Sequence, residues 1–169
     1  MDRLISNATP LIYLAKADQL EILKTVVQKI IIPQSVYREV VIEGKNLGER
    51  DAYRVERAIS QGWIIVQEVK DTYPVEIPIH PGEAEVISLA KEIGLKRVLV
   101  DDVKARVACQ LAGLRPIGTL GIILMAVKDH KLSFDQFLTT LEDIVRSGFF
   151  LKEEIYLRAV QEAKRLSGL

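Results

Sequence analysis

The stretch that decides the fold is HPGEAEVISLAKEIGLKRVLVDDVKAR, residues 80–106. Pro81 suits the first position of a helix, and the apolar residues that follow at helical spacing predict a helix that ends near Gly94. Residues 97–100 contain apolar, β-branched side chains without alternation, which predicts a strand buried on both faces. An Asp-Asp pair, residues 101–102, follows this strand directly. The stretch therefore predicts a helix, a central strand and two acids at the end of that strand.

The position of the Asp pair makes it a candidate site. In an open α/β sheet, ligands bind outside the carboxyl ends of the strands. The same acids also have an ordinary structural explanation. Asp102 would cap a helix over residues 103–112 while Asp101 is solvated, and Glu83 would interact favourably with the dipole of its own helix. From this stretch alone, both interpretations stand.

The composition predicts a soluble, cytoplasmic protein with one domain. The chain has 169 residues, of which 49% are hydrophobic, so it can bury a substantial core. No segment reaches the apolar length that a membrane span needs. The 23 basic residues balance the 23 acidic residues. The chain as a whole therefore lacks the basic character of a non-specific nucleic-acid binder, and a nucleic-acid partner requires a local basic patch.

Cysteine and histidine offer no site of their own. Cys109 is the only cysteine, and in an apolar helix it is expected to be a small buried side chain. His80 and His130 lack metal-ligand spacing to one another, so we expect them to be ordinary residues of a loop or a helix end. All three are left out of the predicted site.

Strands and helices alternate along the chain, which predicts an α/β fold with a central parallel sheet of four to five strands. Thr9 before Pro10 is predicted to cap the first helix. Residues 70–79 are predicted to be an extended connector, with a flap over the site as the alternative. The helices from about residue 133 are expected to pack on the same domain, 1–169, or on a partner. The predicted strands are residues 4–6, 29–32, 63–69, 97–100 and 115–117; the predicted helices that follow the first are residues 19–26, 33–41, 49–60, 81–93, 103–112, 120–127, 133–147 and 152–166.

Five separated segments together resemble the PIN-domain superfamily, and most closely a prokaryotic PIN-like branch of poorly defined function. Their order and spacing are more specific than any one acidic pair. The segments are SNATPLIYLAK (6–16), PQSVYREV (33–40), GEAEVISLA (82–90), VLVDDVKAR (98–106) and GTLGIILMA (118–126).

The resemblance implies a three-layer α/β/α fold and an endoribonuclease that depends on Mg²⁺ or Mn²⁺, as in many toxins of toxin–antitoxin pairs. It implies catalytic acids at Glu39, Glu83, Asp101 and Asp102. Of these, Glu83, Asp101 and Asp102 are the expected metal ligands, and Thr119 matches a hydroxyl that borders the site. The expected partners are RNA, an antitoxin-like protein and a second copy of the chain; no membrane partner is expected.

The departure from the family pattern is Asn7, which stands where the resemblance implies an aspartate. Asn keeps an oxygen ligand and loses a charge, so metal binding is expected to weaken. We expect Asn7 and Thr119 to bind water or phosphate, and Lys104 and Arg106 to contact phosphate unless they are ordinary solvated charges. The leading hypothesis is a PIN-type ribonuclease. The alternative is a catalytically weakened or inactive PIN-fold binding or regulatory protein.

Two phosphoryl-transfer folds fit the order of residues less well. A receiver domain would carry its acidic pair after the first strand, where this chain has Ser6-Asn7. A dehalogenase-type phosphatase would need acids at alternate positions, whereas Asp101 and Asp102 are adjacent. Both alternatives predict phosphoryl-analogue binding.

Overall fold

The computed structural model describes residues 1–169 and is built on a five-stranded, all-parallel sheet in the order β3-β2-β1-β4-β5. Helices cover both faces of this sheet, so the predicted three-layer α/β/α architecture is confirmed. The strands are β1 (Arg3–Ser6), β2 (Lys29–Pro33), β3 (Ile64–Gln67), β4 (Arg97–Leu99) and β5 (Arg115–Ile117).

The strands form where the sequence offers short runs of apolar residues that can be buried on both faces. Ile5 in β1 pairs with Ile31 of β2 on one side and with Val98 of β4 on the other. The chain leaves β1 in one direction to make β2 and β3, and returns on the other side to make β4 and β5. The strand order therefore reverses between β1 and β4, and a crevice opens at such a point in open α/β sheets.

The helices lie close to their predicted positions, with differences at several ends. Helix α1 begins at Ala8, so Asn7 and not Thr9 is its N-cap residue. The helix after β2 runs on past its predicted end, through a π-helical segment at Arg38–Glu43. The helices are α1 (Ala8–Lys16), α2 (Ile22–Val26), α3 (Gln34–Tyr37), α4 (Gly44–Asn46, after the π-helical segment), α5 (Arg50–Ser60), α6 (Pro81–Glu92), α7 (Val103–Leu111), α8 (Thr119–Lys128), α9 (Phe134–Arg146) and α10 (Glu153–Leu166).

The C-terminal helices pack on the same core as the sheet. Phe137 and Ile144 of α9 and Ala159 and Ala163 of α10 belong to one cluster of 42 buried residues that also contains the strands. Ile155, near the start of α10, is 40% exposed. No helix is both long enough and apolar enough to cross a membrane.

The segment between β3 and α6 is tied along α6. The Tyr73 backbone N–H donates to Ser88 Oγ at 3.0 Å, and the Lys70 N–H donates to Glu92 Oε2 at 2.9 Å. Val75, Ile77 and Ile79 are partly buried against the core. These contacts fit the predicted connector and not the flap. Lys70 and Tyr73 are held beside Glu92 and Ser88, which lie about two turns or more along α6 from its start at Pro81.

Candidate functional site

Asn7 lies at the centre of the candidate site, at the carboxyl end of β1 beside the point where the strand order reverses. Its backbone N–H donates to the Leu99 carbonyl at 3.1 Å, which fixes it against the end of β4. The residue is only 3% exposed, yet its side-chain Oδ1 has no hydrogen-bond partner. A buried acceptor without a partner costs about 1–3 kcal/mol, so this oxygen needs an explanation.

The sequence of α1 explains why the Asn7 side chain is free. An N-cap side chain normally accepts a hydrogen bond from the backbone N–H of the second or third helical residue. The third residue of α1 is Pro10, which has no N–H. No capping bond forms, although Asn is among the preferred N-cap residues. Pro10 therefore removes one of the two capping partners of Asn7, and the oxygen stays available to a ligand.

Glu39 reaches the same site from the π-helical segment after β2. The start of the preceding helix, α3, is fixed to α6, because the Ser35 N–H and Oγ both donate to Glu85 Oε2, at 3.2 and 2.5 Å. Glu39 Oε2 lies at the N-terminus of α6, only 3.7 Å from where a Cβ on Gly82 would stand. π-helical turns are rare and occur frequently at functional sites.

Glu83 holds its place through a capping box at the start of α6. Its Oε2 accepts a hydrogen bond from the His80 backbone N–H at 3.0 Å, and His80 Nδ1 accepts from the Gly82 N–H at 3.4 Å. Burial raises the pKa of the Glu83 carboxyl above its ordinary value, and the charges of Asp102 and Glu39 raise this pKa further, against the hydrogen bond from His80. The three carboxylates are therefore close enough to repel one another.

Asn7, Glu39 and Glu83 line one cleft, which we call the Asn7 cleft. Its volume is about 350 Å³. The amide oxygen of Asn7 and two half-buried carboxylates thus share a space that is open to solvent. The lining residues are Asn7, Ala8, Thr9, Val36, Glu39, His80, Gly82 and Glu83.

Asp101 points elsewhere, into what we call the Asp101–Thr119 clamp. The Thr119 backbone N–H donates to Asp101 Oδ1 at 2.7 Å, and Thr119 Oγ1 donates to Oδ2 at 2.6 Å. Thr119 is 1% exposed, so its hydroxyl serves Asp101 and not the solvent. Burial raises the pKa of Asp101 above its ordinary value, although both hydrogen bonds and the Arg106 charge lower it. The clamp joins the end of β4 to the start of α8.

Asp102 is exposed and caps α7, since its Oδ1 accepts from the Ala105 N–H at 2.9 Å. This is the capping explanation that the sequence offered for it. Only two of the four acids that the resemblance implied line the Asn7 cleft, Glu39 and Glu83, whereas Asp101 and Asp102 do not. Asp102 stays electrostatically coupled to Glu83.

The two predicted phosphate contacts also differ from each other. Arg106 is partly buried, and its guanidinium donates to the Val100 carbonyl at 3.3 Å. A Cβ on Gly118 would lie 2.9 Å from Arg106 Nη1 and 3.0 Å from Asp101 Oδ1, so these groups fill the space that glycine leaves. Lys104 is exposed and makes no salt bridge. Lys104 is thus the freer of the two cations.

The comparison with protein families agrees with the fold. A family model, DUF3368, described as a PIN domain, matches residues 3–165. The chain belongs to this PIN-domain family. Neither the search of curated proteins nor the search of solved structures finds a significant match. Membership supports a nuclease-like fold in general, and the catalytic residues of this PIN domain stay predictions.

The fit of a divalent cation depends on which ligands the PIN domain offers. No group of three or more His, Cys, Asp or Glu side chains is arranged to hold a metal ion. The predicted ligand set of Glu83, Asp101 and Asp102 is accordingly not brought together around one point. Mg²⁺ needs fewer protein ligands, because it binds through one or two carboxylates and keeps several waters. Glu39, Glu83 and the unpaired Asn7 oxygen fit that requirement.

One residue of the cleft was excluded at the level of sequence. His80 caps α6, which fits the expected position at a helix end, but it also lines the Asn7 cleft, from which the sequence analysis left it out. The sequence HPGE contained the signal for this cap. A proline at the first helical position with a Glu two residues later marks a helix start, and the residue before the proline, His80, is then the N-cap. Cys109 is buried as expected, and burial raises the pKa of its thiol to about 11, which makes it unreactive.

Proposed function

We propose that this PIN domain is a ribonuclease that depends on Mg²⁺ or Mn²⁺ and hydrolyses RNA phosphodiester bonds at the Asn7 cleft. The observation that carries the proposal is the buried, unpartnered Oδ1 of Asn7 in a cleft that also holds Glu39 and Glu83. RNA as the substrate class follows from the family resemblance. A toxin-like role, an antitoxin-like partner and a homodimer are further proposals on the same basis.

The electrostatics of the cleft favour a bound cation. Burial is the main cause of the raised pKa of Glu83, and repulsion by the negative charges of Asp102 and Glu39 raises this pKa further, so the ionised carboxylate is disfavoured without a counter-charge. A divalent cation between Glu39 and Glu83 offsets this repulsion and satisfies the Asn7 oxygen directly or through a water. A single cation would thereby supply both a counter-charge for the carboxylates and a partner for the Asn7 oxygen.

The proposal gives each residue at this end of the sheet a separate role. Glu39 and Glu83 would hold the cation, and Asn7 would fix a water or the ion itself. Lys104, exposed near the carboxyl end of β4, contacts the substrate phosphate. A bound Mg²⁺ or Mn²⁺ supplies an activated water and stabilises the negative charge that develops on phosphorus oxygens. Asp102 adds negative charge beside Glu83, and the Asp101–Thr119 clamp keeps the ends of β4 and β5 in place.

The test is cleavage of a fluorogenic single-stranded RNA in Mn²⁺ by the natural protein and by Glu83→Gln. Gln is also favoured in a capping box, so the variant keeps the helix start and loses only the charge. We expect metal-dependent cleavage by the natural protein and a loss of about 100-fold or more in the variant. Equal cleavage by both proteins, or none by the natural protein, would contradict the proposal.

The second candidate is the PIN-fold protein with weakened or absent catalysis, acting by binding. It is favoured by the uncharged Asn7 and by the absence of a three-ligand acidic group. Asn7→Asp separates the two candidates. If cleavage appears only in Asn7→Asp, the natural protein is the binding form; if the natural protein already cleaves RNA, this second candidate fails.

A further inference from the structure

The opposite edge of the sheet, where the strands begin, is basic. Four adjacent strands each start with a cation, and a fifth cation precedes β4. All five side chains are exposed. We call this surface the basic edge; its residues are Arg3 in β1, Lys29 in β2, Lys96 before β4, Arg97 in β4 and Arg115 in β5. Adjacent strands lie about 4.8 Å apart, so the row spans about 14 Å.

The register of the sheet places like charges side by side on this edge. Arg3 pairs with Lys29, and Arg97 pairs with Arg115. Like charges at paired positions destabilise a sheet. No member of the basic edge makes a salt bridge: Lys29 Nζ donates to the Gly62 carbonyl at 2.5 Å, and Asp2, next to Arg3, accepts from Gln28 Nε2 at 3.5 Å. The protein tolerates an electrostatic cost here that neutral residues would avoid.

Part of the basic edge is concave. A cleft of about 660 Å³ is lined by Arg3, Lys96 and Arg97 together with Met1, Asp2 and Leu95. Three cations from two neighbouring strands therefore face one space. This is the local basic patch that a neutral chain requires for a nucleic-acid partner.

We propose that the basic edge binds the phosphate backbone of single-stranded RNA independently of sequence. The choice of RNA as the polyanion rests on the proposed function. Three of the five cations are arginines, whose guanidinium groups match phosphate in a bidentate manner. The edge carries no aromatic side chain on which a base could stack. Its only apolar lining residues are Met1 and Leu95, and no aromatic anchor of the kind that dominates protein interfaces lines the cleft, which disfavours an acidic protein partner.

The basic edge lies across the sheet from the Asn7 cleft. Arg3 and Asn7 are at opposite ends of β1, about 13 Å apart at the rise of a strand. The carboxyl ends carry Glu39, Glu83 and Asp102, which repel RNA. The basic edge would hold a long RNA on the protein while only a short part of it enters the cleft.

The experiment measures binding of a fluorescent 20-nucleotide single-stranded RNA by anisotropy in EDTA, over a series of salt concentrations. The edge variant is Arg3→Gln, Lys96→Gln and Arg97→Gln together. The matched control is Lys128→Gln, Lys131→Gln and Arg158→Gln, which removes the same charge from exposed cations without salt bridges elsewhere. Circular dichroism establishes that each variant is folded.

We expect the edge variant to bind the RNA at least about tenfold more weakly. The slope of log K against log salt concentration should fall by about 2 in magnitude, because each phosphate contact on a single strand contributes about 0.7 to this slope. We expect the control to change binding less than about threefold. Equal losses in both variants, or no loss in the edge variant, would overturn the proposal. Poly-glutamate that competes as well as unlabelled RNA would also overturn it, in favour of an acidic protein partner.

Binding in EDTA needs no cleavage, so this result and the proposed function are tested separately. RNA bound at the basic edge without cleavage in Mn²⁺ would defeat only the proposed function. Cleavage with unaltered binding in the edge variant would defeat only the basic edge.

Discussion

The Asn7 cleft and the Asp101–Thr119 clamp lie at the ends of neighbouring strands and use their polar groups in opposite ways. In the clamp, both oxygens of a carboxylate accept hydrogen bonds from Thr119. In the cleft, a buried amide oxygen accepts none. The satisfied group stabilises the fold, and the unsatisfied group is available to a ligand. The two groups therefore differ in their hydrogen-bond partners, a difference that charge alone does not show.

The largest effect is expected from removing a cleft carboxylate. Glu39→Gln keeps the shape of the side chain and loses its charge, so RNA cleavage in Mn²⁺ should fall by about 100- to 10,000-fold. Thermal unfolding in EDTA should change little, because Glu39 makes no hydrogen bond or salt bridge that the fold requires. A large loss of stability without loss of cleavage would assign Glu39 to the fold instead.

The clamp should show the reverse pattern. Asp101→Ala leaves the Thr119 N–H and hydroxyl without partners, and we expect the free energy of unfolding to drop by about 2–4 kcal/mol in urea titrations. Asp101→Asn is the matched control. Its oxygen can still accept from the Thr119 N–H, and its amide can donate to the Thr119 hydroxyl, so its stability should stay within about 1 kcal/mol of the natural protein. Equal destabilisation by Ala and Asn would contradict this assignment.

A smaller effect is expected at Asp102, where the hydrogen bond is a helix cap on the surface. Asp102→Ala should cost about 1 kcal/mol of stability, as N-cap replacements do. Asp102→Asn should preserve the cap and nearly all of the stability. Calorimetric unfolding of the two variants in EDTA measures the difference, and identical melting temperatures would remove the capping role.

The smallest effect is the pH dependence of stability that arises because Asp101 is buried. The pKa of Asp101 is raised in the folded protein, so its contribution to stability is present below the unfolded pKa and is lost as pH rises through the folded pKa. Asp101→Asn has no such loss. As pH rises from about 4 to 7, the natural protein should therefore lose stability relative to Asp101→Asn. A shift in the opposite direction would show that the Asp101 pKa is lowered.

Local sequence signals predicted the elements of the fold well. The apolar runs at residues 29–32 and 97–100 are strands, and Pro81 and Ser133 mark the starts of α6 and α9. The errors at element ends have local causes too. Thr9 before Pro10 is typical of an N-cap, but α1 begins two residues earlier, directly after β1 ends at Ser6, with Asn7 as its N-cap.

The candidate site was less predictable because side-chain directions depend on distant contacts. The sequence indicated acids at the end of β4, but Asp101 turns away through Thr119, which is 18 residues further along the chain. The free oxygen of Asn7 depends on Pro10 and on burial between two strands, which no spacing of acids reveals. Composition indicated a neutral chain, and only the register of the strands gathers five cations on one edge.

The most direct test of the central claim, that the Asn7 cleft is the cation site, is Mn²⁺ binding by isothermal calorimetry. The natural protein is compared with Glu39→Gln/Glu83→Gln and with Asp101→Asn. The claim predicts heat of binding in the natural protein and in Asp101→Asn, and none in the double variant. Binding that survives in the double variant, or that disappears in Asp101→Asn, would place the cation at the end of β4 and contradict the claim.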